Sequence, residues 1–238
     1  MLQAWRHHGV VTYAGYIIGF PGDTYESIMR DVEYLKRELP LDFAEFFIMT
    51  PLPGSKDHQK YYLSHAPMDP DMNRYETNHV VMGHPKMSRG ELERAYQDAW
   101  RSFYSKEHMF TLLKRRRKVG GGHRVAFSLI WFRSCIFVEG VHPLLGGMIR
   151  FKGRKSRRSN FPRELFLPYY VHRTVEIVGN LFKLGMIALE IYLLRMKSKR
   201  PEYAHYLDDT ITPEPKEEKT QNIPAPPEEQ SVHVARVS

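Results

Sequence analysis

Gly15-Tyr16-Ile17-Ile18-Gly19-Phe20-Pro21-Gly22-Asp23-Thr24 is the stretch on which the fold turns. Tyr16 to Ile18 is short, apolar and rich in β-formers, so it reads as a buried strand. Gly19 and Gly22 permit positive φ or close backbone approach, and Pro21 stiffens the turn between them. Asp23 is placed to cap the next helix, with Glu26 three residues on to complete a capping box. Ligands in α/β proteins gather where strands end and helices begin, which makes this turn the first candidate site.

Residues 1–9 read as a helix end closed by Gly9, and Val10 to Ile18 as the strand. A helix follows from Thr24 to about Glu38. Its Ile28, Val32, Leu35 and Leu39 share one face, and Pro40 stops it. Asp42 to Met49 supplies a second strand, and Thr50-Pro51-Leu52-Pro53-Gly54-Ser55 a rigid turn. Strand, helix and strand in this order form a βαβ unit, with parallel strands and a right-handed crossover. Two parallel strands do not make an independent sheet. Either later segments pair with them, or the rest of the sheet lies on another chain.

Residues 56–87 form a long polar excursion. Ser88 with Glu91 begins a helix whose buried stripe is Leu92, Ala95, Tyr96, Ala99 and Phe103. Ser105 caps another, which ends in Lys114-Arg115-Arg116-Arg117-Lys118, where cations suit the helix dipole, and Gly120-Gly121-Gly122 breaks it. Arg124 to Val138 is apolar and helical in character. A long helix runs from Arg163 to Met196, with Asn180, Lys183 and Glu190 interrupting its polarity, and reads as amphipathic or buried, not spanning. After Pro201 the Pro, Glu and Lys content predicts disorder.

The formal charge of +8 is uneven. From Glu202 onward eight acidic residues face Lys216, Lys219 and Arg236, so this tail carries −5 and the preceding residues +13. A basic body favours anionic partners, although a solvated basic face is the leading explanation. Six basic residues stand between Arg150 and Arg158. They lack an RNA-binding motif, which argues against nucleic acid. They precede the long helix, which suits contact with an anionic membrane surface. The single cysteine, Cys135, lies in an apolar run and leaves no disulfide framework. The first residues show no signal-peptide core, and a cytoplasmic location is expected.

The run Gly15 to Thr24 resembles the fifth-strand segment of radical SAM enzymes. Phe46 to Thr50, with its Pro51-Leu52-Pro53-Gly54-Ser55 exit, resembles their sixth strand. The segments around His84 to Ser88, Trp100 to His108 and Glu139 to Gly147 are similar to the C-terminal extension of the B12-binding-type branch. In that family a partial barrel holds a [4Fe-4S] cluster that cleaves S-adenosylmethionine to a radical. Its fifth strand carries Gly-x-Ile-x-Gly-x-x-Glu against the adenine. Gly15, Ile17 and Gly19 match, while Gly22 stands at the Glu position with Asp23 beside it. The resemblance makes Gly15, Ile17, Gly19, Pro21 and Gly22 a cofactor wall. The alternative reading of the same residues is a tight turn that needs glycine for steric reasons.

The family's cluster needs three cysteines in a Cys-x-x-x-Cys-x-x-Cys loop, and only Cys135 is present. The resemblance therefore implies a C-terminal fragment, inactive alone, of an enzyme using S-adenosylmethionine, a [4Fe-4S] cluster and, in this branch, cobalamin. No metal ligands are expected on this chain. His58, His65, His79 and His84 read as polar-loop residues, and His108 and His142 as structural. The expected fold is α/β: βα units of a partial barrel over residues 1–60, a helical basic extension over 61–200, and a disordered tail over 201–238. The alternatives are a basic interaction module on anionic membrane or nucleic acid, and a subunit completing a barrel with a separately encoded N-terminal half.

Overall fold

The computed structural model describes residues 2–146, 153–155, 162–204 and 206. Most of the basic run between Arg150 and Arg158, and all but the first residues of the tail expected to be disordered, lie outside these residues; Pro201–Tyr203 forms a short 3-10 turn. The chain is a mixed α/β structure, mostly helical, around one two-stranded parallel sheet.

Strand β1 (Tyr13–Ile18) pairs with β2 (Phe43–Ile48) in the register Tyr13 to Phe43, Gly15 to Glu45 and Ile17 to Phe47. A short helix α1 (Leu2–His7) precedes them, and α2 (Tyr25–Arg37) makes the crossover. The cap of α2 differs from expectation. Thr24, not Asp23, is the N-cap, and Ser27, not Glu26, closes the capping box. Asp23 is engaged one turn earlier, inside the loop.

Helix α2 turns Ile28 and Val32 fully inward, and each such aliphatic contributes about 1.5–3 kcal/mol by leaving water. They meet Ile18, Phe46 and Ile48 of the sheet and Leu92, Ala95 and Ala99 of α4 (Arg89–Phe103). Ser88 and Glu91 form the capping box of α4 as the sequence indicates. Between them, the polar excursion contains helix α3 (Lys56–Leu63), capped by the Ser55 side chain. The helix is not evident from the sequence, because α3 buries no side chain and so carries no apolar face.

Helix α5 (Lys106–Val119) runs from the Ser105 cap to Gly120, and α6 (Gly122–Ser134) continues into a π-helical turn at Cys135–Glu139. The basic run at the end of α5 is not simply a solvated face. Arg115 and Arg116 are buried, and Arg116 pairs with the fully buried Asp42. Arg116 Nε donates to Asp42 at 2.9 Å, and its terminal nitrogens donate to the carbonyls of Gly9 and Val10, each at 2.9 Å. Asp42 also accepts from the Thr12 amide at 2.9 Å. This network ties α5 to the entrances of both strands.

Helix α7 (Phe166–Ser198) is a single uninterrupted helix. It packs through Ile191, Leu194 and Ser198 and leaves most of its length exposed. By length and composition it is apolar enough to cross a membrane. Asn180, Lys183 and Glu190 therefore do not disqualify it, contrary to the expectation from sequence.

The two edges of the sheet differ. Along β2, the Ala44 carbonyl accepts from the buried Tyr104 hydroxyl at 2.8 Å, and the Ile48 amide donates to Thr77 at 2.7 Å. Among the described residues no strand pairs with the other edge of β1. Tyr13 and Ile17 on β1 are 49% and 47% exposed, although both are large and apolar.

Candidate functional site

The turn after β1 is built around Asp23. Its carboxylate accepts from the amides of Gly19 and Phe20, both at 2.9 Å, and the Asp23 amide donates back to the Phe20 carbonyl at 2.8 Å. A carboxylate closing two amides in this way holds the turn rigid. It also occupies the two N–H groups that a bound anion would need, so the turn is not a phosphate cradle. Gly19 sits at φ +101°, a left-handed region that favours glycine. The excursion fastens the outside of the turn. His84 Nε2 lies 2.8 Å from the Phe20 carbonyl, and Lys86 Nζ donates to the Gly22 carbonyl at 2.7 Å. His84 Nδ1 accepts from the amides of Lys86 and Met87, which leaves Nε2 as the donor.

The five residues named from sequence are not equivalent. Gly15 has a packing reason: a Cβ there would stand 3.2 Å from the Phe47 ring. Gly19 has a conformational one. Gly22 has neither, since a Cβ would meet nothing within 4 Å and its φ is ordinary. Pro21 is exposed at the tip. Ile17 presents a half-exposed aliphatic side chain on the same face as Gly15. Ile17 thus offers apolar surface on this face, and Gly22 leaves open space at the turn. The turn after β2 is packed more tightly: Pro51 is buried, and Thr50 Oγ1 donates to the Ile48 carbonyl at 2.9 Å.

Sequence reasoning left a second feature of this face unassigned. Glu45, opposite Gly15 in the register, is 3% exposed, and its carboxyl lies 3.8 Å from Nε2 of His142, itself 2% exposed. The Tyr13 hydroxyl donates to Glu45. Burial raises the Glu45 carboxyl above its usual range, against the opposing effect of that hydrogen bond. Burial also pushes His142 down to about 4. His142 Nδ1 accepts from the Leu144 amide at 3.2 Å, so the neutral ring carries its proton on Nε2, facing Glu45. That nitrogen has no hydrogen-bond partner among the described residues. The imidazole stacks on Phe47 at 4.6 Å and forms part of the wall of a cleft of about 470 Å³ with Tyr96, Gln97 and Trp100. At 3.8 Å the carboxyl and the neutral imidazole face each other beyond direct hydrogen-bond reach.

The remaining candidates play other parts. His58 stands edge-on to Tyr75, His79 pairs with Glu76, and no group of three or more metal-ligating side chains occurs among the described residues. Cys135 is buried and packs against Gly146. The donor set does not fit an iron–sulfur cluster on this chain.

An uncharacterized methyltransferase of Pyrococcus horikoshii is 27% identical over 99 residues. The match covers 42% of this chain and 21% of that protein, so the chain aligns with about a fifth of the relative's length. No family model matches the chain. No solved structure matches it. The similarity is thus a distant one, to a methyltransferase.

Proposed function

We propose that this chain is the C-terminal portion of an S-adenosylmethionine-dependent enzyme, supplying the last two strands of a parallel sheet and one wall of the cofactor site. One observation carries the reading. The β2 edge is closed by Tyr104 and Thr77, while among the described residues no strand pairs with the other edge of β1, where Tyr13 and Ile17 are exposed. A parallel pair is stable only within a larger covered sheet, and the open edge is where the next strand would add. The distant methyltransferase relative supports the choice of cofactor.

S-adenosylmethionine supplies the activated group. The chain's own residues bind and position. Ile17 offers apolar surface to the adenine, Gly22 leaves room for close approach, and Asp23 fixes the loop between them. Glu45 and His142 place a carboxyl and a neutral imidazole on the same sheet face. Within this reading the finer assignment is a radical SAM protein, supported by the ordered motifs Gly15 to Thr24 and Phe46 to Ser55. The cluster would then be held by cysteines outside this chain, and cobalamin would bind outside it too.

The test is S-adenosylmethionine binding by the protein purified from its native source with whatever chain accompanies it. Ile17→Asp is expected to weaken binding at least tenfold while leaving stability within about 0.5 kcal/mol, because the side chain is half exposed. Equal binding by parent and variant removes the reading. A separate check bears on the finer assignment. Anaerobic reconstitution of this chain alone with iron and sulfide is expected to give no stable [4Fe-4S] absorption, and such an absorption would overturn it.

A further inference from the structure

We propose that α7 is a lipid-embedded helix that seats the protein on anionic membranes. Its 33 residues extend about 50 Å at 1.5 Å per residue, a length that can lie along the headgroup–acyl boundary. A buried core helix would have a comparable composition, but only 11% of the apolar window in α7 is buried.

The C-terminal half of α7 packs on the core through Ile187, Ile191 and Leu194, and its N-terminal half differs. An outward stripe runs at every third or fourth position from Leu167 through Val175, Val178, Phe182 and Leu189 to Met196, each between 45% and 70% exposed or slightly more. The inward positions of the same N-terminal half hold Arg173, Glu176 and Asn180, with Arg173 buried. Apolar outside and polar inside is the pattern of a helix whose outer solvent is lipid. The charges are arranged accordingly. Arg173 pairs with Glu176 at 2.6 Å, and Glu190 pairs with Arg133 at 3.0 Å. Lys183 is exposed and long enough to reach a headgroup.

Both ends carry anchors. Phe166, Tyr169 and Tyr170 open the helix after the six basic residues between Arg150 and Arg158, and Tyr192, Lys197, Lys199 and Arg200 lie at its far end. Aromatic rings and cations at the limits of an apolar helix suit the headgroup layers, and clustered lysine and arginine select anionic ones. Val175, Phe182, Leu189 and Met196 recur every seven residues, so the spacing alone would also suit a second copy of the helix, and flotation and dimer measurements separate the two.

Flotation of the full chain with vesicles of phosphatidylcholine, with and without phosphatidylserine, tests this. Flotation is expected with both lipids, and at least tenfold stronger binding with phosphatidylserine. Val178→Glu/Phe182→Glu is expected to lose at least tenfold, with unchanged circular dichroism, since both side chains are exposed. As a second readout, an environment-sensitive dye on Phe182→Cys should shift to the blue on vesicles, while the same dye on Glu26→Cys should not. Equal flotation by parent and double variant overturns the proposal. So does a parent that stays unbound, or one that forms a lipid-free dimer dissociated by the double variant.

Discussion

Arg116 is an instance of a residue whose role composition hides. Within Lys114 to Lys118 nothing in the sequence says which side chain turns inward, because the run has no polarity contrast. Its partner Asp42 lies far away, beside Pro40, and only the fold joins them. Leaving one member of a buried pair unpaired typically costs about 3–5 kcal/mol. Asp42→Ala should therefore lower the urea midpoint strongly, and Asp42→Ala/Arg116→Met should recover part of the loss. His142 offers a pH test. Its folded pKa of about 4 lies below the ordinary 6.5, so its contribution is complete above about pH 6.5 and is lost as pH falls toward 4. Glu45, raised by burial, acts oppositely: it favours the fold at low pH and loses that contribution as pH rises above 4.5 toward its folded value. His142→Phe keeps the stacking on Phe47 and should flatten the loss of stability between pH 6.5 and 4, measured by urea unfolding across that range. Neither partner was legible as a site. Strand alternation cannot orient Glu45 in a parallel strand, and His142 carries no motif.

Elements were more legible than residues, because their signals are local. The Ser88–Glu91 box, the Ile28 and Val32 face and the Gly120 stop all act within a few residues of the structure they set. Failures arose where two local solutions compete. At the start of α2 both Asp23 and Thr24 are good caps, and the turn's need to close the Gly19 and Phe20 amides draws Asp23 away. The two roles separate by mutation. Thr24→Ala should cost about 1 kcal/mol as an ordinary cap loss. Asp23→Ala leaves two amides without their acceptor and should cost about 1–3 kcal/mol, and it alone should loosen the turn, seen as faster hydrogen exchange at Gly19 and Phe20. At the other end of the domain, Gly146 lies against Cys135. A Cβ built there would fall 2.2 Å from Sγ, so Gly146→Ala should destabilise clearly, whereas Gly22→Ala, in open space, should not.

For the whole molecule, the βαβ unit and the shortage of strands were both apparent from the sequence, and the described residues contain one two-stranded sheet. Which edge is covered was not apparent, since it depends on Tyr104 reaching back to Ala44 across a long stretch of chain. The exposed length of α7 was hidden for a related reason: a hydropathy pattern records what is apolar, and not what is left without a neighbour. The open β1 edge has a consequence for the life of the protein in a cell. An unmatched strand edge with apolar flanks is a template for other strands and a signal to chaperones and proteases. On the proposed reading, with a separate polypeptide supplying the strand beside β1, the chain made without it should turn over quickly or self-associate, and its steady-state level should rise in step with that polypeptide's in a pulse-chase measurement. Supply of this polypeptide would then be matched to supply of its complement with no dedicated regulator.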